Sequence, residues 1–175
     1  LAPGPVVRTN EELIEKIRVL RNYGSDVKYH NIVPGFNARL DELQAGLLRV
    51  KLSHMPELLA NRRRIARAYL SGIHNPLVEL PLLADDVVPV WYLFVVRVSD
   101  QTGFRKFLHA HGVATDVHFP TPPHLQPALA YLGHGAGAFP IAEKDCRTIV
   151  SLPMMDDMSE QETETVIRVV NAYEG

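Results

Sequence analysis

Two short stretches gather the side chains best suited to chemistry. DVHFPTPPHLQP (116–127) sets His118 and His124 among Pro120, Pro122, Pro123 and Pro127, directly after an alternating apolar run. Proline fixes φ and removes a backbone donor, so this stretch can be neither helix nor central strand. PGFNARLDE (34–42) places Asn37 and Arg39 just after Pro34 and Gly35. An imidazole, an amide and a guanidinium on backbone pinned by Pro or Gly make binding loops that lose little order when a ligand arrives. One such residue alone would be unremarkable on a surface; the two stretches together ask for a shared explanation.

Other chemistries fit the spacing poorly. Of the eight histidines, His109 and His111 flank Ala110 on a predicted helix, where residues two apart point in different directions. His118 and His124 could converge, but no cysteine or carboxylate joins them at ligand spacing. The nucleophile pattern GxSxG is absent, and Cys146 falls on a predicted helix, where a packed thiol is the ordinary reading. GHGAG (133–137) has no preceding strand and reads as a turn, so no Rossmann or Walker phosphate loop is present. The basic run Arg62–Arg63–Arg64 reads as a solvated helix face. A formal charge of −2 leaves no basic footprint for nucleic acid. The single cysteine fits a reducing compartment, and no apolar run is long enough to span a membrane.

The elements that must position these side chains follow from periodicity. TNEELIEKIRVLRNYG predicts a helix capped by Thr9 or Asn10, with Leu13, Ile14, Ile17 and Leu20 on one face and Gly24 at its end. From Arg39 to Ile73 helical periodicity is almost continuous, and Pro56 either kinks that helix or starts a second one. Beyond His74 the texture changes. VWYLFVVRV (90–98) predicts a buried strand, GFRKFLHAHG a short amphipathic helix, and VATDVHF (113–119) a strand. In that strand Val113, Thr115 and Val117 face one side, and Ala114, Asp116 and His118 the other. FPIAEKDCRTI predicts a helix, VSLPM (150–154) a short strand, and SEQETETVIRVVNAY a final helix capped by Ser159. Strands and helices alternate, which gives an α/β chain with a small sheet and helices packed on one side of it.

In their order, VVRTNEELIEKIRVLRNYGS, YHNIVPGFNARLDELQAGLLRVKL, RRRIARAYL, GVATDVHFPTPPHLQP, FPIAEK and SLPMMDDMSEQE closely resemble the C-terminal half of the DegT/DnrJ/EryC1/StrS sugar aminotransferases. The loop VHFPTPPHLQP is most similar to members acting on dTDP-linked 3-keto-6-deoxyhexoses. The resemblance implies the C-terminal portion of the PLP-dependent transferase fold type I, with α+β character in the small domain: a long linking helix followed by a small, mainly antiparallel sheet with helices packed on one side. Residues 1–56 would end the large cofactor-binding domain and begin the long linking helix, and residues 57–175 would form the small C-terminal domain. It further implies a cytoplasmic homodimer that moves an amino group from glutamate onto a nucleotide-linked keto sugar, as in deoxyamino-sugar, polysaccharide or antibiotic biosynthesis. Pyridoxal 5′-phosphate would be the electron sink, with the protein supplying a Schiff-base lysine, a phosphate cradle and substrate positioning.

Carried over by position, the resemblance makes Asn37, and with it Arg39, contacts to the PLP phosphate of the partner subunit. His118 would face the substrate sugar, and Phe119 stands where relatives often have Tyr. His124, with Gln126, belongs to the same P-x-H-x-Q loop, at the substrate side and mainly structural. The family's Schiff-base lysine lies in an S-F-x-x-x-K motif upstream of the TNEEL helix. None of Lys16, Lys28, Lys51, Lys106 or Lys144 has such a context, so the chain is expected to be a fragment that cannot transaminate alone. The competing expectations are a noncatalytic truncated paralogue acting as a dimeric binding or scaffolding module, and a sensor or dehydratase relative of the same fold.

Overall fold

The computed structural model describes residues 10–175, which divide into two units, one ending at Met55 and the other running from Pro56 to Gly175. In the first unit, α1 (Glu11–Arg21) begins where the Asn10 side chain accepts a hydrogen bond from the Leu13 N–H at 3.1 Å. Glu11 and Glu12 complement the positive end of the helix, and Arg18 and Arg21 the negative end. Thr9, the other candidate cap, lies outside the described residues. Gly24, at φ +74°, turns its N–H back to the Val19 carbonyl at 3.0 Å, the left-handed stop that the sequence predicts. A small hairpin of β1 (Ser25–Val27) and β2 (His30–Asn31) follows. α2 spans Glu42–Ser53, starting three residues later than the periodicity suggests. Neither α1 nor α2 contributes a buried residue.

Helical backbone pauses at His54 and resumes as α3 (Met55–Gly72). Of the two readings of Pro56, the structure takes the second: the proline sits in the first turn of a new helix, where its missing N–H is no loss.

The second unit closes around an antiparallel sheet in the order β3 (Val78–Glu79), β4 (Phe94–Val98), β5 (Ile149–Leu152). Phe94 pairs with Leu152 and Val96 with Val150, so four apolar side chains point to one face. Onto that face pack Ile65, Ala66 and Tyr69 of α3, Phe104 and Leu108 of α4 (Gln101–Ala110), and Val166, Val169 and Val170 of α6 (Glu160–Asn171). Tyr69 and Phe94 meet edge to face at 5.0 Å, and the buried Tyr69 hydroxyl donates to the Pro153 carbonyl at 2.8 Å. Ser159 caps α6 as predicted, in a reciprocal capping box with Glu162.

The other sheet face carries the sheet's polar side chains, Glu79, Arg97 and Ser151, beside Val95 and Ile149. Arg97 alternates away from Val96 and reaches Asp145 of α5 (Pro140–Thr148) at 3.1 Å. The expectation of helices on a single side thus describes α3, α4 and α6, while α5 is tied to the opposite face. Two predicted strands are shorter than expected. Trp91 has φ +52°, incompatible with an extended strand, so β4 starts only at Phe94, on which the indole stacks at 5.2 Å. Residues 113–119 keep the predicted alternation, with Val113 and Val117 buried and Ala114 and Asp116 exposed, yet they pair with β5 only through one bridge, Asp116 to Ser151. Pro120 and its neighbours cannot extend a ladder. They form instead a loop with two 3-10 turns, Pro123–Leu125 and Pro127–Leu132. No helix among the described residues is long and apolar enough to cross a membrane.

Candidate functional site

On the polar face of the second unit, the bridge between Asp116 and Ser151 exchanges both backbone hydrogen bonds, at 2.8 and 3.3 Å. Directly opposed residues in an antiparallel pair put their side chains on the same face. Two residues on, His118 returns to that face, and its Nδ1 lies 3.0 Å from the Oγ of the buried Ser151. Its Nε2 is 3.6 Å from Asp116 Oδ2, an ion pair whenever the ring is protonated. The serine fixes the ring's orientation, and the carboxylate, largely in solvent, supplies a screened field. A cis peptide bond joins His118 to Phe119, a residue that is 75% exposed. Half-buried imidazole and open aromatic ring together present one polar and one flat apolar surface to whatever approaches this edge.

His124 is placed differently. It is buried at 8% exposure, with Nε2 3.0 Å from Glu143 Oε1 and its ring 4.8 Å from that of Phe139. Glu143 Oε1 also accepts from the backbone N–H of Gly137 at 2.8 Å and of Phe139 at 3.4 Å. Burial raises the pKa of this carboxyl, but the His124 bond and the two backbone donors outweigh it and hold the group below its ordinary value. One carboxylate therefore fastens the proline loop, the 133–139 turn and the start of α5 to one another. The resemblance makes His124 mainly structural in this loop, and Glu143 is a partner that the sequence did not disclose.

The first unit carries Asn37 and Arg39. Their segment is held by the end of α1: Phe36 N–H donates to Leu20 O at 2.7 Å, Tyr23 N–H to Phe36 O at 2.9 Å, and Ala38 N–H to Arg21 O at 2.9 Å. Asn22 and Asn37 are bridge partners. The crossing requires two glycines, since a Cβ on Gly24 would come within 1.7 Å of Val33 O and one on Gly35 within 2.0 Å of Gly24 N. Arg39 Nη2 donates to Asn22 Oδ1 at 2.7 Å, and its guanidinium lies 5.3 Å from the Tyr23 ring centre. Both Asn37 and Arg39 are exposed, and among the described residues the Asn37 amide makes no side-chain hydrogen bond. Two backbone-pinned donors thus stand open to solvent, a set matched to phosphate or carboxylate oxygens.

Sequence reasoning missed Ser151 and Glu143, and it put Asp116 on the side of His118 without giving it a role. Ser151 lies in a predicted strand whose alternation from Val150 would have aimed it at the polar face, a usable signal. Glu143 offered none, because a glutamate in the first turn of a helix is ordinarily a solvated dipole partner. Among the described residues, no three His, Cys, Asp or Glu side chains are grouped to hold a metal ion.

Known proteins resemble this chain in sequence and in fold. The chain is 45% identical over 171 residues to dTDP-3-amino-3,6-dideoxy-alpha-D-galactopyranose transaminase of Aneurinibacillus thermoaerophilus, matching 97% of this chain and 47% of that protein. It is 42% identical to the erythromycin biosynthesis sensory transduction protein EryC1 of Saccharopolyspora erythraea, across 97% of this chain and 46% of that one. The crystal structure of S. venezuelae DesV superimposes with a TM-score of 0.90 at 40% identity, covering 94% of this chain and 45% of DesV. The chain thus spans about half the length of the relatives it matches. With residues 3–171 matching the family as a whole, the chain belongs to the DegT/DnrJ/EryC1/StrS aminotransferase family.

Proposed function

We propose that this chain is the C-terminal part of a pyridoxal-phosphate-dependent aminotransferase acting on a nucleotide-linked keto-deoxysugar, with glutamate as amino donor and a homodimer as the working unit. The observation that carries this reading is the His118 edge, where an imidazole oriented by Ser151 stands beside an open aromatic ring. The names of its transaminase relatives support the substrate class. Residues 1–56 then close the large domain, and residues 57–175 are the small domain.

The donor set fits the cofactor's phosphate end. Asn37 offers an uncommitted amide, and Arg39 keeps guanidinium donors beyond the one given to Asn22. Pyridoxal phosphate, when bound, supplies an electron sink that carries the amino group between donor and acceptor. Asn37 and Arg39 would bind its phosphate in the partner subunit, through hydrogen bonds in which Asn37 adds no charge and Arg39 adds one. His118 would hydrogen-bond a sugar hydroxyl through Nε2, the nitrogen not turned to Ser151. Phe119 would lie against the ring face of the sugar, offering packing where a Tyr would add a hydroxyl. His124, clasped by Glu143, would keep the proline loop stiff as the pocket's wall. The Schiff-base lysine is supplied by sequence outside these residues.

The test uses a full-length parent. His118→Ala is expected to reduce kcat/KM for the keto sugar by about one to two orders of magnitude, with pyridoxal phosphate retained. Asn37→Ala should instead release the cofactor more readily, read by its absorbance after dialysis. An unchanged kcat/KM in the histidine variant removes His118 from the site. A second reading, a noncatalytic dimeric module, is favoured by the sensory name of the 42% identical relative. It requires a full-length parent that binds no pyridoxal phosphate in that same dialysis.

A further inference from the structure

The outer side of α4 carries a pocket unrelated to the residues above. Thr102, Arg105, Lys106 and His109 recur at the i, i+3, i+4, i+7 spacing that makes one helix face, opposite the buried Phe104 and Leu108. With Ala110 and Thr115 they line a cavity of about 380 Å³. Thr115 belongs to the inward set of residues 113–117, so the pocket lies on the other side of that segment from His118. No carboxylate lines it. The nearest acids in sequence are engaged elsewhere, Asp100 at the Gly103 N–H and Asp116 beside His118.

Arg105 is under-used in this setting. A guanidinium carries five N–H donors. Arg105 spends one of them on a long 3.4 Å bond from Nη2 to the Thr115 carbonyl, while its Nε is buried without a partner. Neither Arg105 nor Lys106 forms an ion pair among the described residues, in contrast to Arg97, which reaches both Asp145 and Glu79. A buried donor left unmade is costly, and a fixed cation beside a second cation and two hydroxyls is stabilised most by an anion with several acceptor oxygens. We infer that this pocket binds a phosphate group, with Arg105 and Lys106 as its cationic walls and Thr102, His109 and Thr115 as further hydrogen-bonding partners. The site is independent of the amino-transfer reading, because none of its residues takes part in it.

The test is titration of the isotope-labelled 175-residue chain with inorganic phosphate, at ionic strength held constant with chloride, following backbone amide shifts. Saturable shifts at Thr102, Lys106, His109 and Thr115 are expected, with a Kd on the order of 1 mM. Arg105→Met should weaken binding about tenfold or more, and Lys106→Gln by a smaller factor. Parallel titrations with pyrophosphate, a nucleoside monophosphate and its nucleoside identify the source. A nucleotide that binds more tightly than either inorganic ion, while the nucleoside produces no shifts, assigns the phosphoryl end of a nucleotide; equal binding assigns free phosphate. Shifts that grow linearly without saturating, or that persist unchanged in Lys106→Gln, overturn the inference. Because Lys106 is exposed, that variant decides the matter even where Arg105→Met loses spectral dispersion.

Discussion

The two units handle the same kind of helix in opposite ways. In the second unit the apolar stripes of α3, α4 and α6 all close on one sheet face, where Phe94, Val96, Phe104, Leu108 and Val150 are fully buried. In the first unit the stripe of α2 stays open, with Leu43 at 78% and Leu47 at 67% exposure, and Tyr29 and Phe36 are open as well. The first unit is therefore organised by backbone closure, through Gly24, Gly35 and the end of α1, while the second is organised by burial. Amphipathic periodicity announces that a face will be covered; it does not say by what. Under the proposed function, the open face of the first unit is where the remainder of the large domain and the partner subunit pack.

The contrast can be broken most directly in the core. Phe94→Ala removes a ring that touches both Tyr69 and Trp91, and should cost about 3–5 kcal/mol of unfolding free energy, read by denaturant unfolding of the chain. A loss no larger than that of a surface substitution would mean that the second unit lacks the close-packed interior described here. The clasp at Glu143 gives the next effect, and its sign follows from the depressed pKa. A carboxyl whose folded pKa lies below its unfolded one contributes stability that is fully present above about pH 4.3 and lost as pH falls through the folded value. The parent chain should lose melting temperature on acidification through that window, and Glu143→Gln should start lower and lose less. Identical pH profiles would detach the carboxylate from the loop's stability. The smallest effect belongs to the first unit: Leu47→Ser should change the stability of this chain by no more than about 0.5 kcal/mol. A loss comparable with that of Phe94→Ala would show that the first unit has a core after all, and the comparison would fall.

Much of this was legible in the residues, element by element. The Asn10 cap, the Gly24 stop, the Ser159 cap and the inward set Val113 and Val117 all rest on relations within a few positions, and each stands where the sequence puts it. The proline loop was legible as rigid and irregular for the same reason. Less legible were lengths and partners. β4 loses its first residues to the left-handed Trp91, and the 113–119 strand is reduced to one bridge before Pro120 and its neighbours, which cannot extend a ladder. His124 shows the limit most clearly, since its neighbours in sequence suggested an open loop and its neighbour in space is a buried glutamate.

By itself the sequence determined the helical and extended segments, their caps and stops, the apolar faces, and the family to which the order of motifs belongs. These depend on side-chain periodicity and backbone preferences, which act over one or two turns. Only the tertiary structure decided that His118 is oriented by Ser151, 33 residues away, that Glu143 gathers His124 and two backbone donors across 19 residues, and that α5 serves the polar face while α3, α4 and α6 serve the apolar one. Such contacts are set by which strands pair and in what register, and a shift of one residue would turn Ser151 into the core and Val150 out of it.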